Sequence, residues 1–224
     1  LLTNGSAGAI DQVWAALISP GDIVITEAPT FSGSIRTFRG HQAEVHTVPM
    51  DNDGMQVEHL EPLIKRAFSR KPRAVCLLIN SPGGSAVQSS HIAGMIRHYA
   101  QDKKTPVFAF TEDVAASGGY WLALAADEIY ADPMSVVGSI GVISAGFGFQ
   151  ELIAKVGIER RVHTQGENKS LLDPFKSEDP DDVRRLKEIQ ADIHTQFKSY
   201  VRRRRGDKLV AADAVVFNGD IWAG

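Results

Sequence analysis

The sequence predicts an α/β fold in which parallel strands alternate with helices. Two apolar runs of strand length, RAVCLLIN (73–80) and PVFAFT (106–111), are each followed by a glycine-rich turn and then by a helical pattern. This order is most simply built as right-handed crossovers between parallel strands, with helices packed on the sheet. We therefore expect a layered α/β structure.

The N-terminal quarter has the same alternation of patterns. Apolar residues recur at helical spacing over 6–19, and DIVITEAP (22–29) reads as a strand. The stretch SGSIRTFRGH (32–41) predicts a short helix, and the alternation in AEVHTVPM (43–50) predicts a second strand. A turn at DNDG (51–54) follows.

Further elements include three helices and one strand. Helical spacing predicts helices over 56–69, 87–100 and 181–204, and DEIYAD (127–132) predicts a strand. In the second helix we expect an apolar side that includes Val87.

The unbroken apolar run at 73–80 is typical of a strand covered on both faces. Cys76, the single cysteine, lies within it, so we expect a buried thiol that forms no intrachain disulfide.

Composition excludes several classes of function. The chain has 224 residues, 43% of them hydrophobic and 23% charged, which fits one globular domain, or one domain and a fragment. Its net charge of -3 gives no general attraction to nucleic acid, and we interpret RRRR (202–205) as a solvated helix end. Together with the lone cysteine, this leaves the compartment open.

No stretch has the roughly 18 continuous apolar residues that a membrane span needs; the best candidate, SVVGSIGVISAGFGF (135–149), is short and rich in glycine. The chain begins with leucine and ends at FNGDIWAG without a terminal signal, so we expect a piece of a longer product. Membrane association is then expected only through an anchor upstream of this sequence.

The stretch DVAASGGYWLALAADE (113–128) places Ser117 between two alanines and two glycines at the start of a predicted helix. One interpretation is a helix cap, in which the serine oxygen accepts an orphan amide. The other is a nucleophile, which requires a base and donors for an oxyanion. The glycine turn NSPGGS (80–85) and the amide of Gly118 are candidate donors, although strand-to-helix turns often need glycine for backbone reasons alone.

The base is less evident from the residues. The chain has seven histidines, for which surface or satisfied core positions are the better interpretation: His41, His46, His59, His91, His98, His163 and His194. A lysine buried beside a serine is the alternative, because burial lowers its pKa. Lys169 lies in the loop segment QGENKSLLDPF, between Gly166 and Pro174, where a lysine is ordinarily solvated.

Three separated motifs, INSPGGSAVQSS, DVAASGGYWLALAADEIYADPMSVVGSIGVI and QGENKSLLDPF, together resemble the S49 peptidases, the family of signal peptide peptidase and its SohB-like relatives. The resemblance runs from about residue 56 to the C-terminus. It implies a ClpP/crotonase-like fold of stacked ββα units and a serine peptidase with Ser117 as nucleophile and Lys169 as general base. It also implies an oxyanion donor at Gly83 or Gly84.

The resemblance further implies apolar peptide substrates such as cleaved signal sequences, and assembly into homo-oligomers. The serine and the lysine of one site can come from neighbouring subunits in this family. It implies neither a metal nor nucleic acid as a partner.

Residues 1–54 resemble a different family, the fold-type I, PLP-dependent aminotransferases, through TNGSAGAIDQVW and EAPTF. In that family Ser6 and Ala7 would hold the cofactor phosphate and Phe31 would stack on its ring. The Schiff-base lysine, aspartate and arginine motifs do not follow, so we expect no PLP and no other cofactor. We thus expect an aminotransferase-like fragment over 1–54 and an S49 core, truncated at its C-terminus, over 55–224.

Three rival functions stay open at this point. A crotonase-like acyl-CoA enzyme would use the same glycine turn for a thioester oxyanion. A catalytically inactive chimeric or scaffold fragment would result if the N-terminal segment leaves a sheet edge unpaired. A PLP enzyme would show an internal aldimine in its absorption spectrum.

Overall fold

The computed structural model describes residues 15–28, 32–51, 54–166 and 168–224. Its strands are β1 (Ile23–Ala28), β2 (Glu44–Asp51), β3 (Gly54–Met55), β4 (Val75–Ser81), β5 (Val107–Ala116), β6 (Glu128–Ala131), β7 (Val136–Gly138) and β8 (Ile221–Ala223). Its helices are α1 (Ser32–Gly40), α2 (Val57–Ser69), α3 (Ala86–Lys103), α4 (Gly118–Ala123), α5 (Gln150–Lys155), α6 (Pro180–Arg205) and α7 (Asp213–Val216), with a 3-10 turn at Gly206–Lys208. The predicted α/β class is confirmed.

The chain divides into two compact units. The first comprises residues up to Val137 together with Trp222–Gly224, and the second comprises Gly138–Ile221. This division falls at a different place from the boundary between residues 54 and 55 that the sequence predicts. The separate origin of residues 1–54 stays a prediction.

The first unit contains two sheets. In the smaller one β1 pairs with β2 in parallel and β3 is antiparallel to β2. In the larger one the order is β4-β5-β7-β8, and β6 also pairs with β5. Strands β4, β5 and β6 are parallel, which is the strand, helix, strand arrangement that the sequence predicts.

The core of the first unit lies between helices α2, α3 and α4 and one face of the larger sheet. Its least exposed large side chains include Phe68 of α2, Val107 of β5 and Leu124 after α4. Phe68 stacks on Tyr99 of α3 with ring centroids 6.0 Å apart. Burial of this apolar surface, at about 25 cal/mol per Å², is the main stabilising term of the unit.

The opposite face of the same sheet is open in the described structure, and this corrects two predictions. Cys76 is exposed and Leu78 is 39% exposed, so β4 is covered on one face only and the thiol is not a core group. Parallel register places these two side chains beside Phe108 and Phe110, and Phe110 stacks on Tyr130 at 5.2 Å. An apolar run shows that both faces of a strand are hydrophobic, whereas burial depends on whether a second layer is present.

The apolar side predicted for the second helix is also wrong at one position. Val87 is 77% exposed, while Met95, Ile96 and Ala100 are buried. Val87 is the second residue of α3, one turn before the part of the helix that packs on the sheet. Periodicity identifies a stripe along a helix but not the point at which the packed surface begins.

The second unit is organised around the long helix α6. Its N-cap Asp179 accepts a hydrogen bond from the Asp181 amide at 2.8 Å, and Pro180 occupies the first turn, where it costs no hydrogen bond. At the other end Arg202 forms an ion pair with Asp213 and its guanidinium lies 4.8 Å from the Phe217 ring centroid. The arginine run therefore joins α6 to α7 as well as ending a helix in solvent.

Across the part of the chain that the structure describes, we find no helix with the length and apolar character required to span a membrane.

One side chain ties three elements of the first unit together. Asp127 accepts from Arg97 of α3 at 2.7 Å and from the Val107 amide of β5 at 3.0 Å. We expect Asp127→Ala to lower the free energy of unfolding by about 1–3 kcal/mol, because the buried Val107 amide and the Arg97 guanidinium lose an acceptor. Chemical denaturation measures this, with Asp102→Ala as control, since the ion pair of Asp102 with Lys103 is exposed and its loss should change stability by less than about 0.5 kcal/mol. Equal losses in the two variants would contradict the prediction.

Candidate active site

Ser117 stands at the junction where β5 ends and α4 begins. Its backbone has φ 51° and ψ −118°, a left-handed conformation that costs a residue with a Cβ on the order of 1–3 kcal/mol. This conformation turns the chain sharply from strand to helix and leaves the Ser117 side chain partly exposed. A strained serine at a strand-to-helix turn is the geometry in which a nucleophile can be presented to a substrate.

The helix-cap interpretation of Ser117 is wrong about the hydrogen bond of its side chain. Ser117 occupies the N-cap position of α4, but its side chain accepts no capping hydrogen bond. An N-cap residue typically has a backbone in the β region, whereas that of Ser117 is left-handed.

The glycine turn between β4 and α3 packs directly on Ser117. Gly83 has φ 122°, and a Cβ built there would lie 2.8 Å from Ser117 Cβ and 3.2 Å from Ser117 Oγ. A Cβ built on Gly118 would lie 3.3 Å from the Gly84 nitrogen and 2.5 Å from Oγ of the buried Ser89. The structure thus brings together Ser117, Gly83, Gly84 and Gly118, all of which the sequence singled out.

Small residues are required on both sides of this contact. A Cβ on Gly119 would lie 2.5 Å from the Ser81 carbonyl oxygen, so α4 approaches the end of β4 more closely than any other residue type permits. Ser81 Oγ accepts from the Gly83 amide at 3.3 Å. The ASGGY pattern is therefore explained by close approach of two turns.

Two further residues near this contact were not singled out from the sequence. Asn80 Nδ2 donates to Asp113 Oδ2 at 3.0 Å, and Asn80 Oδ1 accepts from the Val114 amide at 3.2 Å. These bonds link the residue before the glycine turn to the residues before ASGGY. The adjacency of Asn80 to the turn was visible in the sequence, but its pairing across 33 positions was not.

The carboxylates of Glu112, Asp113 and Glu27 lie close enough to one another to interact. Partial desolvation, followed by the negative charges of Asp113 and Glu27, raises the pKa of Glu112 above its usual range. The Glu112 carbonyl oxygen accepts from the buried Ser135 hydroxyl at 2.5 Å, which anchors the backbone there.

Lys169 belongs to the second unit, whereas Ser117 belongs to the first. Lys169 is exposed in a turn in which its amide donates to the Gly166 carbonyl at 3.2 Å. A second lysine of the same segment, Lys176, donates to Ser170 Oγ at 3.2 Å. The pairing of Ser117 with Lys169 stays a prediction.

The lysine segment has its own internal order. Asp173, whose side chain is only 3% exposed, accepts from Arg160 at 2.9 Å and from the Phe175 amide at 3.0 Å. The hydrogen bond from the Phe175 amide lowers the pKa of Asp173 most, and the Arg160 guanidinium lowers it further. The Arg160 guanidinium also lies 4.8 Å from the Phe175 ring centroid.

The sequence assigned no chemistry to the histidines, to a metal or to PLP. His194 Nε2 lies 3.0 Å from the Ile140 carbonyl oxygen, and His46 Nε2 lies 2.9 Å from Glu44 Oε1. Within the described ranges no group of three or more His, Cys, Asp and Glu side chains is placed to hold a metal ion. The PLP-related positions Ser6, Ala7 and Phe31 lie outside the described residues.

Comparison with known proteins indicates a peptidase. A sequence model of a protein family, described as peptidase family S49, matches residues 99–224, which is more than half of the chain. The chain therefore belongs to peptidase family S49, and with it has the ClpP-like α/β fold of that family. A second model, described as the N-terminal domain of NfeD1b, matches residues 44–151.

Two curated relatives show the extent of the similarity. A protein named Na(+)/H(+) antiporter NhaA, from Brucella melitensis, is 52% identical over 163 residues, which are 72% of this chain and 22% of that protein. A chloroplastic protein named serine protease SPPA, from Arabidopsis thaliana, is 32% identical over 99% of this chain and 30% of its own length. The chain thus spans less than a third of either protein.

Comparison with solved structures does not identify a shared fold. A kynurenine aminotransferase from Pyrococcus horikoshii is 24% identical over 49% of this chain and 28% of its own, with a TM-score of 0.36. A TM-score this low does not establish a shared fold. The resemblance of residues 1–54 to aminotransferases accordingly rests on their sequence.

The strain at Ser117 yields a prediction on stability. Glycine adopts the Ser117 backbone conformation without steric cost, whereas alanine keeps the Cβ, so we expect Ser117→Gly to be more stable than Ser117→Ala by about 1 kcal/mol. Thermal and urea unfolding measure the difference. At Ser90, exposed within α3, the same two substitutions should rank in the opposite order by about 1 kcal/mol. If the glycine and alanine variants ranked in the same order of stability at both sites, backbone strain at Ser117 would be contradicted.

The carboxylate cluster yields a prediction on pH. Because the pKa of Glu112 is raised in the folded chain, its ionised form is disfavoured there, and its contribution to stability is lost as the pH rises through the folded pKa. We expect Glu112→Gln to raise the melting temperature at pH 7, with the gain disappearing below the unfolded pKa of about 4.3. Glu61→Gln on the exposed face of α2 controls for the substitution itself. A gain of equal size at pH 3.5 and pH 7 would contradict the electrostatic explanation.

Proposed function

We propose that the chain carries the site of a serine endopeptidase in which Ser117 is the nucleophile and Lys169 the general base. The observation that carries the proposal is the contact between the strained Ser117 and the glycine turn at Gly83. Membership of peptidase family S49 supports the reaction class. A peptide carbonyl carbon is attacked by Ser117 Oγ, and the hydroxyl proton passes to Lys169 Nζ.

The reaction then follows the general course of acyl transfer. Lys169 returns the proton to the leaving amine, and water hydrolyses the acyl-enzyme with the same lysine as base. The oxyanion formed at each step needs two donors close to Ser117. Gly118 is the first residue of α4, so its amide is one of the helix donors without an intrahelical acceptor.

Between the two glycines of the turn, the geometry favours Gly84 as the second donor. The Gly83 amide already donates to Ser81 Oγ. The Gly84 nitrogen is 3.3 Å from the position that a Gly118 Cβ would occupy, which puts Gly84 close to the other proposed donor. Gly83 then serves to let the turn approach Ser117.

The substrates and the assembly follow from the family rather than from the site. We propose apolar peptides, such as the remnants of signal sequences, as substrates. We also propose a homo-oligomer, in which the lysine that serves one Ser117 comes from the same chain or from a neighbouring copy. The name of the Arabidopsis relative, a serine protease, supports the type of enzyme.

A fluorophosphonate probe and an apolar reporter peptide test the proposal together. We expect Ser117→Ala to abolish labelling and to lower kcat/KM at least about 1,000-fold, and Lys169→Ala to do nearly the same, since the two act as a unit. Lys176→Ala is the matched control, because it removes a second exposed lysine of the same segment. It should leave kcat/KM within about threefold of the wild-type value.

The opposing outcomes separate the rival functions. A folded wild-type chain that neither labels nor hydrolyses the peptide faster than Ser117→Ala would support an inactive scaffold. Loss of activity in Lys176→Ala, with Lys169→Ala unaffected, would reassign the base. Mixing inactive Ser117→Ala with inactive Lys169→Ala tests the neighbouring copy, since recovery of activity requires the two residues to come from different chains.

A further inference from the structure

The register between β4 and β5 changes just before the glycine turn. Ile79 pairs with Thr111, but Ser81 pairs with Ala115. A single residue of β4, Asn80, therefore faces three residues of β5, which are Glu112, Asp113 and Val114. This is a bulge on β5, and bulges re-aim the chain that follows them.

The Asn80 side chain fills the place where the backbone ladder is interrupted. Its Oδ1 accepts from the Val114 amide at 3.2 Å, and its Nδ2 donates to Asp113 Oδ2 at 3.0 Å. The carboxamide thus satisfies one backbone donor and one side chain of the bulge at the same time. Asparagine presents a donor and an acceptor on one planar carboxamide, and glutamine, which carries the same group, is longer by one methylene.

The two hydrogen bonds of Asn80, called the Asn80 clamp below, join two segments that both continue into the site. Asn80 is followed by Ser81, Pro82 and Gly83, and Val114 is followed by two buried alanines and Ser117. The clamp consequently joins the turn that packs on the serine to the strand that carries it. Gly83 would clash with Ser117 if it carried a Cβ, so there is little slack between the two turns.

We propose that Asn80 and Asp113 are positioning residues, which hold the glycine turn in register with Ser117 through the bulge of β5. The inference rests on the proposed peptidase function for its effect on rate, but the structural part stands without it. Asn80 and Asp113 are both exposed, so the pair adds little to global stability and its loss should leave the chain folded. Its contribution is to the geometry of the oxyanion donors, where a displacement of about 1 Å costs on the order of 100-fold in rate.

The test exchanges the two partners. Asn80→Asp keeps the acceptor for the Val114 amide but places a second carboxylate against Asp113. We expect kcat to fall roughly 10- to 100-fold with KM within about threefold of wild type. Asp113→Asn alone keeps an acceptor for Asn80 and is the single-variant reference for the double variant. The double variant N80D/D113N restores one donor and one carboxylate, and should recover kcat to within about threefold.

A matched control lies in the second unit. Asn218 Nδ2 donates to Asp220 Oδ2 at 2.5 Å, and Asn218 Oδ1 accepts from the Asp220 amide at 2.9 Å. Asn218→Asp makes the same chemical change beside an aspartate. It should leave kcat within about threefold of wild type while the melting temperature reports any loss of stability.

Amide hydrogen exchange supplies a measurement that does not depend on activity. Asn80→Ala removes both bonds, so exchange at Val114 and in residues 112–118 should accelerate about tenfold or more, and N80D/D113N should restore protection. The inference is overturned if Asn80→Asp keeps the wild-type kcat, or if the double variant is as slow as Asn80→Asp. If the wild-type chain hydrolyses no peptide, the proposed function fails and exchange decides alone: unchanged protection at Val114 in Asn80→Ala overturns the positioning role.

Discussion

The structure of the site depends on the close approach of two turns, one after β4 and one after β5. The approach is possible because Gly83, Gly118 and Gly119 have no Cβ at the points where the chains meet. Parallel pairing of β4 with β5 brings the carboxyl ends of both strands to one edge of the sheet, and the bulge of β5 then directs the chain toward the glycine turn. Without that contact Ser117 would be an ordinary exposed hydroxyl at the start of a short helix.

Two opposing demands meet at Ser117. The fold holds Ser117 in a positive-φ conformation that is strained for any residue with a Cβ. Buried neighbours on both sides keep it there: Ala115, Ala116, Gly118 and Gly119. A backbone outlier persists only where the surroundings over-determine it. The core formed by α3, α4 and β5 provides that support, so the free energy that strain removes at one residue is offset by packing over many.

Much of the fold was predictable because it depends on local periodicity. The strands over 22–29 and 43–50 and the helices over 56–69 and 181–204 appear within a few residues of their predicted limits. Burial was less predictable, as Cys76 and Val87 show, because it depends on which layers are present and not on the hydrophobicity of one segment. The glycines around Ser117 were identified from their positions in the NSPGGS and ASGGY stretches, whereas the Asn80 pairing depends on a register shift that no local pattern reveals. The role of Lys169 as the general base came from the family resemblance, and it stays a prediction from that resemblance.

The open face of the larger sheet makes Cys76 useful in the laboratory. It is the single thiol of the chain and it is exposed on the face that carries Leu78, Phe108 and Phe110, so one alkylating dye or spin label can be attached at one known point of an apolar surface. Partial burial, and then the charge of Asp22, raise the pKa of the Cys76 thiol, which makes coupling faster at alkaline than at neutral pH. A fluorophore placed there would respond to whatever approaches this face, with no competing cysteine to remove first.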